Sequence, residues 1–277
     1  MLERAVGLSP RALEAIADLE RRVVDADGGR LKLEWRTLRN RPGEQVEDLL
    51  WWDGERLLGF LGLYGYGSSL ELELAGMVAP EARRRGIATA LLDAAIKLPR
   101  ARGKQQVLLI VPRPSEAGKR LALARGAALD HSEHALLLSH APSGAVGDAA
   151  VGLRPARPAD VATVARLLEV GFGNPATDAA DRLEQTVVIE YAGATVGTMF
   201  VSRDGHDAGI YGFVVDPPWQ GRGIGREALR RACEHLRNED VRHIRLEVAV
   251  ENDRALGLYT STGFAPVTTE DYYALPG

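Results

Sequence analysis

The chain has 277 residues, of which 45% are hydrophobic and 26% charged, and a formal net charge of −4. This is the balance of a soluble globular chain long enough for two domains of about 130 residues, and nothing in it points to nucleic acid. No run approaches the roughly 18 apolar residues of a membrane span, and Met1 to Ala12 lacks a signal-like apolar core, so no membrane association and a cytoplasmic location are expected. Cys233 is the only cysteine, which excludes an intramolecular disulfide and a thiolate metal cluster.

In chain order, DLLWWDGERLLGFLGLYG reads as a hairpin turning at Asp53-Gly54, with Trp51 and Trp52 alternating between core and edge. LELELAGMV is the next strand, and Ile87 to Ile96 a helix that stops before Pro99. QQVLLIVP is a strand, and HALLLS closes the first lobe. APSGAVGDAAVG, residues 141–152, has no apolar period and is rich in small residues, as a connector should be. The expected organisation is therefore a first domain over 1–140, a linker over 141–152 and a second domain over 153–277.

The second lobe opens with a short strand near Leu153. Asp160 is a candidate N-cap for a helix whose Val161, Val164, Leu167 and Leu168 share one face. TVVIEYAGATVGTMFVS is a hairpin turning at Ala192 to Ala194, and IYGFVVD a strand. The helix after Gly221 has an apolar stripe of Ile224, Ala228, Leu229, Ala232 and Leu236, with Cys233 as a packed thiol. HIRLEVAV is a strand, Asp253 to Thr260 a helix, and Pro266 to Leu275 a final strand. Both lobes thus read as α+β, each a mixed sheet flanked by helices.

One element occurs twice. GMVAPEARRRGIATALLDAAI starts at Gly76 and FVVDPPWQGRGIGREALRRAC at Phe213, and Gly86 aligns with Gly223 and Pro80 with Pro217 at a constant offset of 137 residues. The chain is therefore a tandem repeat. In each copy a strand leads through a proline turn into a basic, glycine-bearing loop at a helix start, where backbone N–H groups form a site for a phosphate or pyrophosphate.

The loop reads Arg83-x-x-Gly86-x-Ala88 in the first copy and Gln220-x-x-Gly223-x-Gly225 in the second. Both resemble the Q/R-x-x-G-x-G/A loop of the GCN5-related N-acetyltransferases (GNAT), so the chain is identified as a tandem two-domain member of that superfamily. The resemblance implies a GNAT fold twice over and acetyl-CoA as cosubstrate. Its pyrophosphate would lie on Gln220, Gly221, Arg222, Gly223, Ile224, Gly225 and Arg226, with Phe213, Val214 and Val215 on the adjoining strand. The equivalent residues Met77, Val78, Arg83, Arg84, Arg85, Gly86, Ile87 and Ala88 are a second cofactor-site candidate. The first 45 residues match the family's opening less well.

The segment LEVAVENDRALGLYTSTGF also fits the family pattern N-x-x-A-x-x-x-Y-x-x-x-G-F at Asn252, Ala255, Tyr259, Gly263 and Phe264. By resemblance Asn252 contacts the cofactor and Tyr259 lies near the thioester sulfur. A neutral phenol there can protonate the departing thiolate. Glu247, twelve residues before Tyr259, is the candidate base; ribosomal-protein N-terminal alanine acetyltransferases show a similar L-E-V strand. The tandem mycothiol synthases instead carry a glutamate seven residues before the Asp-Pro of the loop, and that position here is Gly209, which counts against that likeness.

In the first lobe Ser115 and Ala122 stand where the second has Asn252 and Tyr259. The expectation is a degenerate lobe that holds CoA weakly or not at all and does no chemistry, although Glu71 and Glu73 share one side of its LELEL strand. The function implied is acetyl transfer to a primary amine by direct attack, without fixing which amine. Neither the resemblance nor composition sets an oligomeric state. Two alternatives stay open: a non-catalytic acyl-CoA-binding sensor or interaction module, and a dinucleotide-binding oxidoreductase, since Gly223-x-Gly225-x-x-Ala228 also fits the G-x-G-x-x-G/A fingerprint. No metal site is expected, because His131 and His134 have no further ligand nearby in sequence. Asp271, Tyr272 and Tyr273 are candidates for orienting an acceptor.

Overall fold

The structure, a computed structural model, describes residues 1–65, 71–98, 105–140, 147–173 and 178–276. Pro99 and residues 141–146 of the expected linker lie outside the described residues. The strands are β1 (Leu2–Ala5), β2 (Asp48–Asp53), β3 (Arg56–Tyr64), β4 (Glu71–Val78), β5 (Gln106–Pro112), β6 (Ala128–Leu138), β7 (Val151–Pro155), β8 (Thr186–Tyr191), β9 (Ala194–Asp204), β10 (Asp207–Val215), β11 (His243–Ala249) and β12 (Phe264–Ala274). The helices are α1 (Pro10–Asp27), α2 (Trp35–Arg39), α3 (Ile87–Ala95), α4 (Glu116–Ala124), α5 (Val161–Phe172), α6 (Ile224–Asn238) and α7 (Asp253–Ser261). No helix among the described residues is long and apolar enough to cross a membrane.

Two compact units result: Met1–Ser132 with Thr268–Gly277, and Glu133–Val267. This division departs from the chain-order boundaries at 140 and 153, because each half of the chain hands one closing strand to the other unit. In the first unit the sheet order is β1-β2-β3-β4-β5, closed by the tail of β12, whose Glu270–Ala274 pairs antiparallel with β5. In the second it is β7-β8-β9-β10-β11, closed by β6, whose Glu133–Leu137 pairs antiparallel with β11. HALLLS therefore closes the second unit and the chain's tail the first. Burial follows: Leu136 and Leu138 join the second core, Tyr272 and Tyr273 the first.

Helix boundaries have local causes. Ser9 caps α1 by accepting from the Ala12 amide at 3.2 Å, Pro10 occupies the first turn, and Ile16, Leu19 and Val23 bury one face. Gly28, at φ +71, ends it. In α6 the whole expected stripe is buried, and Cys233 with it; burial pushes its thiol up to about 12, which makes it an inert core group. Asp160 does not cap α5 with its side chain. A short 3-10 turn over Pro158–Asp160 precedes the helix, and the carboxylate is taken by Arg154 at 2.7 and 2.9 Å and by the Arg157 amide.

Candidate active site

The feature that makes a slot is the place where two parallel strands part. In the second unit β10 pairs with β11 only over Asp207–Ile210 and His243–Leu246. Both strands run on, β10 held by β9 to Val215 and β11 by β6 to Ala249. The edge of β10 from Tyr211 to Val215 thus has no ladder partner toward β11 among the described residues. A bulge between Tyr211 and Val214, with Gly212 at φ +55, turns the strand away. It also reverses the side-chain alternation: Ala208 and Ile210 face the α6 core, and beyond the bulge Phe213 and Val215 face it too, while Val214 packs toward α5.

The first unit repeats this without a bulge in β4. Its β4 and β5 pair over Glu71–Leu74 and Gln106–Leu109 and then separate.

Each slot leads to its phosphate loop. After β10 come a 3-10 turn over Pro217–Trp219, extended Gln220, Gly221 at φ +78 and Gly223 at φ +81 as N-cap of α6. Alternation of ordinary and left-handed residues turns successive N–H groups into one concavity at the helix N-terminus. The first unit matches it position for position, with a turn over Pro80–Ala82, extended Arg83, Arg84 at φ +61 and Gly86 at φ +79 capping α3. Arg84 is the departure, since a side chain in this region costs roughly 1–2 kcal/mol that glycine avoids.

The leading residue of the motif braces the loop. Gln220 Nε2 donates to the Val215 carbonyl at 2.7 Å, and Arg83 Nε to the equivalent Val78 carbonyl at 3.2 Å. The Arg83 guanidinium is further committed to Asp27, at 2.9 and 2.6 Å, whereas Arg84 and Arg85 are exposed. Arg222 lies over the Trp219 ring at 4.9 Å and donates to the Pro218 carbonyl. Ile224 and Ile87 are buried as the first helical residues of α6 and α3.

Tyr259, on α7, is almost fully buried between Phe213 and Phe264, with ring centroids 6.3 and 6.4 Å away. Burial raises its phenol to about 12, so it is a neutral donor. Asn252 caps α7, its Oδ1 accepting from the Ala255 amide at 3.0 Å, and Ser115 does the same for α4 through the Gly118 amide. The residue that differs between the units thus serves one local purpose in both. Glu247 lies one residue past the end of the pairing of β11 with β10, and strand alternation sets it on the face opposite Leu246 and Val248, which pack with Tyr259.

In the first unit the tilted ring pair of Phe213 and Tyr259 is replaced, at the same offset, by Gly76 and fully buried Ala122. This unit also holds a cavity of about 560 Å³, running along Gly76, Met77 and Val78 to Arg83, Arg84, Gly86 and Ala88. Spacing alone gives no hint of this cavity, because its lining is assembled from α1, β3, β4, the phosphate loop, α3, β5 and α4.

Gly209 is occupied in an unexpected way. A Cβ at this position would sit 2.5 Å from the Tyr211 hydroxyl and 2.6 Å from its Cζ, so the ring of Tyr211 fills the space that a side chain at 209 would take. Asp271 accepts from Arg113 at 2.7 and 3.0 Å and from Ser132 at 2.8 Å, which engages it inside the first unit. His131 stacks on Tyr272 at 4.1 Å. Among the described residues no group of three or more His, Cys, Asp or Glu is arranged to hold a metal ion.

The model of the acetyltransferase (GNAT) family matches residues 12–126 and 165–264. The chain belongs to the GNAT acetyltransferase family. It is an N-acetyltransferase with two GNAT units in tandem. A mycothiol acetyltransferase of Propionibacterium freudenreichii is 32% identical over 247 residues, covering 80% of this chain and 75% of that protein. The fold is shared with a GCN5-related N-acetyltransferase from Sphaerobacter thermophilus, at a TM-score of 0.80 and 20% identity over 100% of this chain and 96% of the other. It is shared as well with a tandem GNAT protein from the clavulanic acid biosynthesis pathway, at a TM-score of 0.73 and 19% identity over the full length of both chains. Family membership removes the oxidoreductase reading; the 3-10 turn before Gly221 already separates this loop from a dinucleotide fingerprint, whose first glycine follows its strand closely.

Gly197, on β9, sets the position of the slot edge. A Cβ there would stand 2.5 Å from the Val214 carbonyl and 3.3 Å from the Val215 Cα. Gly197→Ala is expected to lower stability by about 1–3 kcal/mol and to weaken acetyl-CoA binding, because it pushes β10 at its bulge. A thermal melt and a binding isotherm check both; an unchanged Tm would show that β10 gives way without cost.

Proposed function

We propose that the second unit transfers acetyl from acetyl-CoA to a primary amine by direct attack. The observation carrying this reading is the continuity of three features: the amide concavity of Gly221–Arg226, the unpaired edge of β10 at Phe213, Val214 and Val215, and the buried neutral Tyr259 beside Phe213. The concavity takes the pyrophosphate, and the strand amides polarise the thioester carbonyl. The amine approaches from the face of Glu247, which takes its proton, and the thiolate departs on the face of Tyr259, which returns one. Opposite faces for base and acid suit a direct transfer, because the acetyl group crosses between them in one step.

The loop and cavity of the first unit are a second acetyl-CoA site on this reading. A cavity of about 560 Å³ bordered by Arg84 and Gly86 favours occupancy, against the expectation of a lobe that binds weakly or not at all. The acceptor is a primary amine, in a cytoplasmic setting, and mycothiol chemistry enters the test through the relatives' name. CoA release over a panel of amines separates transfer from a sensor that only binds.

Glu247→Gln is expected to depress transfer most at low pH, where the amine holds its proton most tightly. A variant whose profile overlays the native one assigns deprotonation to another group.

A further inference from the structure

We propose that Lys32 is an internal acetyl acceptor of the first unit, modified on Nζ by acetyl-CoA bound in that unit's cavity. The inference rests on the reading of the first unit as an acetyl-CoA site. Only four of the chain's 34 basic side chains are lysines, so an amine is the exception in an arginine-rich chain. Lys32 is buried, with 8% of its side chain exposed, whereas Lys97 and Lys119 are exposed. Burying an ammonium is costly without partners that fix it in place.

Those partners are the groups an acceptor amine needs. Nζ donates to the Tyr272 hydroxyl at 2.5 Å, lies 5.1 Å from the centre of that ring, and is 4.0 Å from Oε2 of Glu73. Glu73 stands on β4 one residue before its pairing with β5 ends, at the mouth of the slot. The residues just before Lys32 in the chain, Arg30 and Leu31, line the cavity that reaches the phosphate loop at Arg83, Arg84 and Gly86. Arg30 is in turn 3.7 Å from the fully buried Glu270, so the segment is tied to β12 on this side.

The step balances with acetyl-CoA as the co-reactant. Glu73 accepts one proton from the ammonium, and the freed amine attacks the thioester carbonyl carbon. The N–C bond forms, the C–S bond breaks, and the second nitrogen proton passes to the thiolate. The products are Nε-acetyl-Lys32 and CoA, with the proton on Glu73 returned to solvent. With Lys32 as its own acceptor, the first unit would be expected to turn over no external amine. Acetylation removes the charge that faces Glu73 and displaces the hydrogen bond to Tyr272, loosening the tail strand.

The test incubates the full chain with acetyl-CoA and maps acetylation by peptide mass spectrometry, beside the same protein unfolded in urea. Label is expected at Lys32 in the folded protein in excess of Lys97 and Lys119, and not in excess once unfolded. It should be lost in Gly86→Asp and kept in Gly223→Asp, while Lys32→Arg stays folded and carries no label at that position. Calorimetry on Gly223→Asp separates the two levels of inference. Acetyl-CoA binding with Lys32 unlabelled overturns this proposal alone; no binding overturns it together with the second cofactor site. Label that survives Gly86→Asp, or that appears equally in urea, also overturns it.

Discussion

Gly223→Asp is expected to abolish acetyl-CoA binding by the second unit and to reduce acetyl transfer to an external amine to background, whereas Gly86→Asp should preserve most of that transfer. Both glycines cap a helix in the left-handed region, and neither has a heavy atom within 4 Å of where a Cβ would stand. Aspartate is among the residues that tolerate this conformation, so the fold should survive either change. Its carboxylate would project from the helix N-terminus into the concavity meant for the pyrophosphate, where like charge and the lost amide contacts act against the ligand. The two loops match in backbone, but only the second adjoins a tyrosine: Tyr259 there, Ala122 in the first. Calorimetry and CoA release on both variants, with thermal melts as a control for folding, give the measurement. Loss of transfer with Gly86→Asp and survival with Gly223→Asp would place the external reaction in the unit bearing Glu71 and Glu73.

Much of the site was legible because it is local. The loop pattern sets backbone conformation residue by residue, and the left-handed angles at Gly86, Gly221 and Gly223 are what glycine in that pattern provides. Asn252 and Tyr259 sit seven apart on one helix, so their spacing carries their relation. What spacing could not carry is pairing between distant strands. HALLLS and the tail are equally good edge strands by pattern, and the choice of partner was made by the cores that Leu136 and Tyr272 enter. The bulge at Gly212 is equally invisible in the sequence, although it puts Phe213 and Val215 on the same face as Ala208 and Ile210. In sequence Gly209 is only a missing carboxylate, whereas in the structure the Tyr211 ring occupies the space beside it. Lys32 is a single lysine in a loop by sequence, since its setting comes from Glu73 and Tyr272, which are far from it in the chain.

Tyr259→Phe is expected to lower turnover by a factor on the order of 10² with acetyl-CoA affinity nearly unchanged, because it removes a proton donor and almost no packing volume. The ring contacts with Phe213 and Phe264 remain, so stability should change by less than about 1 kcal/mol. The pH dependence follows from burial. Burial raises the phenol from its ordinary value of 10.0 to about 12, which means the neutral, donating form persists as pH rises through the range where an exposed tyrosine would ionise. The activity that depends on this donor is therefore fully present at neutral pH and is lost only as pH approaches about 12. The ratio of native to Tyr259→Phe rates should accordingly stay constant from neutral pH to roughly 10. A ratio that collapses toward one near the ordinary tyrosine value would mean that the phenol is solvated during turnover; a ratio near one at every pH would mean that the thiolate takes its proton from another source and that Tyr259 only packs the helix face.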